Sequence, residues 1–253
     1  MFPLKDNIPT ENTPFVTIAL ILINVFVYFV LQKGGILDGP DDLIVVDWGA
    51  IPYEVTHLGE NCDVTPDLTA IACGDGVGDG PSTIFTLFAS MFMHGSILHL
   101  GGNMLFLWIF GNNVEDSMGP VKFLAFYLLG GLAALAGQVI VEPNAIVPTI
   151  GASGAVAAVL GGYILLYPRA RVVTLIFIVF FFTILELPAM LILGFWFLQQ
   201  VAFGYFDLAN PAGGGGGVAY FAHIGGFVFG LLLIKLFASR HKDYSAPPKY
   251  PVY

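Results

Sequence analysis

Ser153 lies in the stretch Gly151-Ala152-Ser153-Gly154 at the mouth of an apolar run, and His99 and His223 each sit among small residues in two other apolar runs. An ionisable side chain in hydrocarbon has no water to solvate it, so such residues are costly and usually functional. A serine hydroxyl is a poor nucleophile until an adjacent base takes its proton. A hydroxyl and an imidazole at apolar positions therefore predict serine hydrolase chemistry inside a bilayer. His99 and Asn103 are four apart and share a helix face, with Gly101 and Gly102 opening space beside them. Together with the Ser153 N–H they would form an oxyanion hole, where one donor is worth roughly 3 kcal/mol of barrier. On the same helix His94 lies about 140° around from His99 and faces elsewhere. For any one of these residues the alternative is a plain interhelical hydrogen bond. That alternative weakens when a serine, two histidines and an asparagine fall in the outer halves of three helices.

The elements that must position these groups are membrane spans. Of the 253 residues 57% are hydrophobic and 11% charged, and the mean hydropathy is +0.82, against about 25% charged residues in soluble domains. About 20 apolar residues cross a bilayer core, and six runs qualify, near residues 14–31, 84–110, 121–141, 150–167, 188–206 and 218–237. The expectation is an all-α integral membrane protein, a six-transmembrane-helix bundle forming one domain over residues 1–253. Residues 14–31 exceed a signal-peptide core and are followed by no small-residue cleavage site, so they read as a retained first helix. The run Val172–Phe206 is too long for one span and is interrupted by Pro188. Two spans there would place His223 at the opposite membrane face from Ser153. Residues 172–187 are therefore expected to lie at, or re-enter, the inner surface, with Glu186 near the inner interface and no assigned role.

Charge gives the orientation. Between Lys33 and Ser82 ten acidic residues face one lysine, whereas Lys5, Lys122, Arg169, Arg171, Arg240, Lys242 and Lys249 fall on the other side of a six-span chain. Basic short loops mark the cytoplasm, which places both termini inside and the acidic loop, residues 33–82, outside. The expected site is a prokaryotic plasma (inner) membrane. The acidic balance offers no groove for nucleic acid. Cys62 and Cys73 both lie in the outer loop, and in an oxidising compartment a bridge between them would stabilise it by up to ~3 kcal/mol; two free thiols are the alternative. Asp47–Pro52 has the character of an interfacial helix. Gly74–Gly80, where glycine alternates with Asp75 and Asp79, reads as a flexible linker, with a calcium loop as the alternative, and Gly213–Gly217 as a mobile loop where a lid would sit.

The fourth span is short. From Ser153 to Tyr167 a helix rises ~22 Å, less than the ~30 Å core, so the serine is expected in a submerged cavity at a helix N-terminus that favours negative charge. Ser153, Ala157, Gly161 and Gly154, Ala158, Gly162 form two small-residue stripes, and Ala222, Gly226, Gly230 a third in the last span. Small residues four apart let helices approach closely in lipid, which would bring His223 to Ser153. Rival chemistries lack their residues: no His-Glu-x-x-His occurs, no two histidines are four apart, no pair of aspartates lies within spans, and no glycine-lysine phosphate loop is present. No metal or other cofactor is expected.

His94-Gly-Ser-Ile-Leu-His99-Leu-Gly-Gly-Asn103, Gly111-Asn-Asn-Val-Glu115, Gly151-Ala-Ser153-Gly154 and Ala222-His223-Ile-Gly225-Gly226 with Gly230, in that order, resemble the rhomboid family of intramembrane serine proteases. The resemblance organises Ile84–Phe237. It implies a six-helix fold with Ser153 as nucleophile and His223 as general base and acid. It also implies oxyanion binding by His99 and Asn103, and a turn shaped by Gly151. The chain departs from the family pattern in two places. No arginine precedes Arg169, so the outer loop must be anchored in some way other than the family's Trp-Arg pair, and Glu115 has no such partner. Ala157 stands where many members carry an aromatic residue that packs on the histidine.

The sequence thus predicts a Ser-His dyad that cuts membrane proteins with single transmembrane segments, entering laterally between the second and fifth spans. Its alternatives are a non-catalytic relative that binds or retains membrane clients, and a transporter. No inverted repeat supports the transporter.

Overall fold

The computed structural model describes residues 2–178, 181–210 and 217–239. In chain order the elements are β1 (Phe2–Asp6), α1 (Phe15–Leu31), α2 (Asp42–Trp48), α3 (Pro52–Thr56), β2 (Asn61–Val64), β3 (Ile71–Gly74), α4 (Thr83–Phe92), α5 (Ile97–Met118), α6 (Pro120–Val141), α7 (Ser153–Leu166), β4 (Arg171–Ile178), β5 (Phe181–Pro188), α8 (Ala189–Ala209) and α9 (Tyr220–Phe237). By length and composition α6, α8 and α9 can cross a membrane. The pair α4–α5, bent by 80°, makes a fourth span if counted as one, while α1 and α7 are apolar but shorter.

Two expectations need correction. The apolar run 84–110 is not one straight helix. Ser96 sits in extended backbone and accepts a hydrogen bond from the His99 N–H at 3.1 Å, starting α5 afresh. A serine N-cap satisfies helix-end donors that an apolar run leaves open. His94 therefore precedes the helix, and the helical wheel does not apply to it. The fold is also not purely helical. Residues 172–178 and 181–187 instead pair as antiparallel β4 and β5, from Arg171↔Pro188 to Ile178↔Phe181, with β1 antiparallel on the other edge of β4. Their valines, isoleucines, threonines and phenylalanines suit a strand, and a continuous apolar run does not distinguish strand from helix by periodicity. Glu186 meets Arg171 across this strand pair at 3.9 Å, both side chains largely exposed. A second, two-stranded sheet, β2–β3, lies between α3 and α4. Glu115, without an arginine partner among the described residues, is instead held by the start of α1. Its carboxylate accepts from the N–H groups of Val16 and Thr17 at 3.0 and 2.8 Å and from the Thr17 hydroxyl at 2.8 Å. It thereby closes the N-terminus of α1, where the helix dipole favours a negative charge.

The centre of the molecule is α7. Ala157, Ala158 and Val159 have no exposed surface, so this helix is enclosed by protein and need not match the thickness of lipid. A Cβ built on Gly226 would fall on the carbonyl of Gly154, and one on Gly230 on the carbonyl of Ala158; from the other side, a Cβ on Gly161 would strike the carbonyl of Phe227. Helices α7 and α9 thus touch backbone to backbone along the small-residue stripes. Helix α6 closes the group through Gly130 against Ala158 and through Gly137 against Gly225.

At the end of α7 remote from Ser153, the buried Asp6 carboxylate accepts from Asn113 Nδ2 at 2.7 Å and from the Tyr163 hydroxyl at 2.6 Å. Burial pushes its pKa up from 3.8 to about 6, and the hydrogen bonds from Tyr163 and Asn113 offset part of that rise. A carboxyl group raised in the folded state contributes stability that is fully present below its unfolded pKa and lost as pH rises through the folded one. Asp6→Asn keeps an acceptor and cannot ionise. The stability of the variant relative to wild type is therefore expected to grow by up to ~3 kcal/mol between pH 4 and pH 8. Thermal unfolding of both proteins in one detergent checks this; parallel melting curves across that range would contradict it.

Candidate active site

Three features of the chain converge on Ser153. Gly151 has φ of +126°, a conformation that glycine alone adopts readily, and its N–H bonds the Ser90 carbonyl at 2.9 Å. The chain then turns into α7, with Ser153 as its first residue. An N–H in the first turn has no partner within its own helix, so that of Ser153 is available to a ligand. Beside the serine lies a cavity of about 30 Å³, bounded in part by Ser90, Met91, Ala134 and Gly151, room for about one water.

His223, near the start of α9, places Nε2 2.8 Å from Ser153 Oγ. Its Nδ1 lies 2.8 Å from Oε1 of Gln200 in α8. The Trp196 ring, one turn earlier in α8, lies 5.7 Å from the imidazole at 38°. The support that an aromatic residue at position 157 would give thus comes from a different helix. Among the described residues no carboxylate bonds His223.

His99 flanks the same spot. A Cβ built on Gly151 would lie 2.8 Å from His99 Nε2 and 3.4 Å from Ser153 Oγ, so the two groups face each other across the space a side chain at 151 would fill. The Gly95 N–H donates to His99 Nδ1 in a long 3.4 Å contact, which leaves Nε2 as the ring's donor. One turn on, Asn103 is buried and its Nδ2 has no protein acceptor among the described residues. His94 is fully buried and does not face away: its ring meets that of His99 edge-on at 5.0 Å. Its own backbone is gripped by Gln32, which accepts from the His94 N–H at 2.8 Å and donates to its carbonyl at 3.1 Å.

The loop between α1 and α4 is anchored to the segment that delivers the serine. Ala50 and Thr149 exchange both backbone hydrogen bonds, the Tyr53 N–H reaches the Ala145 carbonyl at 3.0 Å, and the Thr56 hydroxyl reaches that of Pro143 at 2.7 Å. Cys62 and Cys73 oppose each other in β2–β3 and are joined as a disulfide, with Cys62 packed on Val46 and Ile51. The buried Glu54 carboxylate accepts from the Cys62 N–H at 2.8 Å, and burial raises its pKa. The interfacial helix expected at Asp47–Pro52 is instead two short helices, α2 and α3, meeting at that stretch. The expected lid, Gly213–Gly217, lies outside the described residues except for Gly217, as do Arg240, Lys242 and Lys249.

The missed residue is Gln200. A glutamine within an apolar run is itself a signal, because its amide must find a partner there. Gln138 gives the same signal, its Oε1 accepting from the Ala222 N–H at 3.2 Å near the start of α9. Chemically, the arrangement offers a hydroxyl with a base in hydrogen-bond reach, with His99 beside it, parts that acyl transfer uses.

Comparison with known proteins agrees with this architecture. Residues 81–240 match the Rhomboid domain model. "Rhomboid protein 1, mitochondrial" of Saccharomyces cerevisiae is 33% identical over 153 residues, covering 58% of this chain and 40% of that protein. "RHOMBOID-like protein 12, mitochondrial" of Arabidopsis thaliana is 30% identical over 160 residues, 56% of this chain and 43% of that one. "Presenilin-associated rhomboid-like protein, mitochondrial" of Homo sapiens is 31% identical over 101 residues, 38% of this chain and 26% of that one. The chain spans less than half the length of each of these relatives. With the domain model covering more than half of its residues, and its apolar helices, the chain belongs to the rhomboid family of membrane proteins.

Proposed function

We propose that this chain is an intramembrane serine endopeptidase that hydrolyses peptide bonds in or near the single transmembrane segments of other membrane proteins. The observation that carries this reading is the 2.8 Å contact between Ser153 Oγ and His223 Nε2, within the range a nucleophile–base pair requires. His223 takes the hydroxyl proton as Ser153 attacks the carbonyl, then gives it to the leaving amine. The Ser153 N–H, His99 Nε2 and Asn103 Nδ2 receive the oxyanion. Water completes the cycle by hydrolysing the acyl-serine.

In this reading α1, α4–α5, α6, α7, α8 and α9 are six spans, with the Ser-His dyad opening outward and both termini on the basic side. That side is the cytoplasm if the membrane is a prokaryotic inner membrane, as the charge bias suggests; the relatives named above are mitochondrial. Substrate enters laterally between α5 and α8. A helix-breaking residue near the cut site favours it, because an extended backbone is needed for attack.

The reading is tested by reconstituting the protein in liposomes with a single-span substrate carrying such a residue near its outer end, and identifying products by mass spectrometry. Cleavage at one bond by wild type and none by Ser153→Ala is expected. No cleavage by wild type, as for a client-binding relative, or equal cleavage by both proteins, overturns it.

A further inference from the structure

We infer that Gln200 is a positioning residue that sets the tautomer and orientation of His223; this rests on the hydrolase reading above. An imidazole acts as a base toward Ser153 only if Nε2 carries the lone pair, and a neutral ring has its hydrogen on one nitrogen or the other. Gln200 decides which. Its Nε2 donates to the Trp196 carbonyl at 3.3 Å, which turns Oε1 toward His223 Nδ1 at 2.8 Å. An amide oxygen can only accept, so the hydrogen sits on Nδ1 and the Nε2 lone pair faces Ser153 Oγ. Gln200 is 8% exposed, and in such surroundings a flipped amide would leave buried groups unmatched. Trp196, which flanks the imidazole, stands one helical turn away on α8. One turn of this helix therefore supplies both the acceptor and the ring that hold the base. In many serine hydrolases a carboxylate does this work. A neutral amide gives the same orientation without placing a further charge among apolar helices.

The test uses full-length protein in liposomes with Gln200→Met, which keeps length and removes the acceptor, and Gln200→Glu, which keeps an acceptor. For Gln200→Met, kcat is expected to fall on the order of 10²-fold with KM little changed, because ring orientation matters in the transition state more than in substrate binding. Gln200→Glu restores most of the loss. In protein with ¹⁵N-labelled histidine, the His223 signals (assigned by their absence in His223→Ala) should report hydrogen on Nδ1 in wild type and a mixture of tautomers in Gln200→Met. A merely structural role would not move that signature. Wild-type kcat in Gln200→Met, or an unchanged tautomer beside a loss that Gln200→Glu fails to rescue, overturns the inference. Ser153→Ala in the same assay separates the two readings. If it is inactive while Gln200→Met is normal, only the role of Gln200 falls; if it still cleaves, the hydrolase reading falls and takes this inference with it.

Discussion

Alanine at Ser153, at His223 or at both is expected to lower cleavage by about the same factor, on the order of 10⁴ or more. The reason lies in the shared hydrogen bond between Oγ and Nε2. Without His223 the hydroxyl keeps its proton and is a weak nucleophile. Without Ser153 the imidazole has nothing to activate. Either deletion removes the whole nucleophilic step, and the second has little left to remove. In the proposed mechanism the remaining rate comes from what both deletions leave in place: the helix N-terminus of α7, His99 Nε2 and Asn103 Nδ2, which would still stabilise a developing oxyanion. Initial rates for wild type, both single variants and the double variant on one single-span substrate give the comparison. A double variant slower than each single one by a further factor of 10³ would mean that the groups act independently, contrary to the geometry. His99→Ala belongs in the same series as a contrast. It removes one of three oxyanion donors and leaves the nucleophile–base pair intact, so it costs less than either alanine in the pair.

Parts of this architecture are legible in the amino-acid sequence for identifiable physical reasons. Four-residue spacing of glycine and alanine in 153–162 and 222–230 has few purposes other than close helix contact in lipid, and those stripes do meet. The two side chains that this spacing pointed to lie 2.8 Å apart. What hydropathy concealed is equally specific. Apart from Thr174, Thr183 and Glu186, residues 172–187 are apolar, and a run of that kind carries no period that separates a hairpin from a helix. Their density of β-branched and aromatic residues was the available sign. His94 was misplaced because Ser96, an N-cap in the middle of an apolar run, restarts the helix. The sequence shows that Glu115 has no arginine partner; it does not show that the N–H groups at the start of α1 serve the same electrostatic end. Gln200 carries no charge, so within an apolar run it stands out less than an ionisable group. A buried amide is subject to the same demand for a partner, and Gln200 and Gln138 both answer it at α9.

Replacing Gly226 by alanine is expected to damage stability and cleavage together, and Gly230→Val to do so more severely. A methyl at 226 would fall on the carbonyl of Gly154, and one at 230 on that of Ala158, both backbone atoms of an enclosed helix with no flexible end to move aside. Forcing atoms into a packed contact typically costs 1–3 kcal/mol, roughly, in strain and displaced neighbours. Relief comes only by sliding α9 away from α7. That movement separates His223 on one helix from Ser153 on the other, and a misplacement of about 1 Å at a reacting pair can cost on the order of 10²-fold in rate. Gly194→Ala is the matched control, since a Cβ there meets nothing within 4 Å. Its melting temperature and cleavage rate should stay close to wild type. Thermal unfolding in a single detergent and initial cleavage rates, measured on all three variants, distinguish a contact-specific effect from a general intolerance of alanine in spans. If Gly226→Ala melts and cleaves like Gly194→Ala, close backbone contact between α7 and α9 is not what holds the imidazole against the hydroxyl.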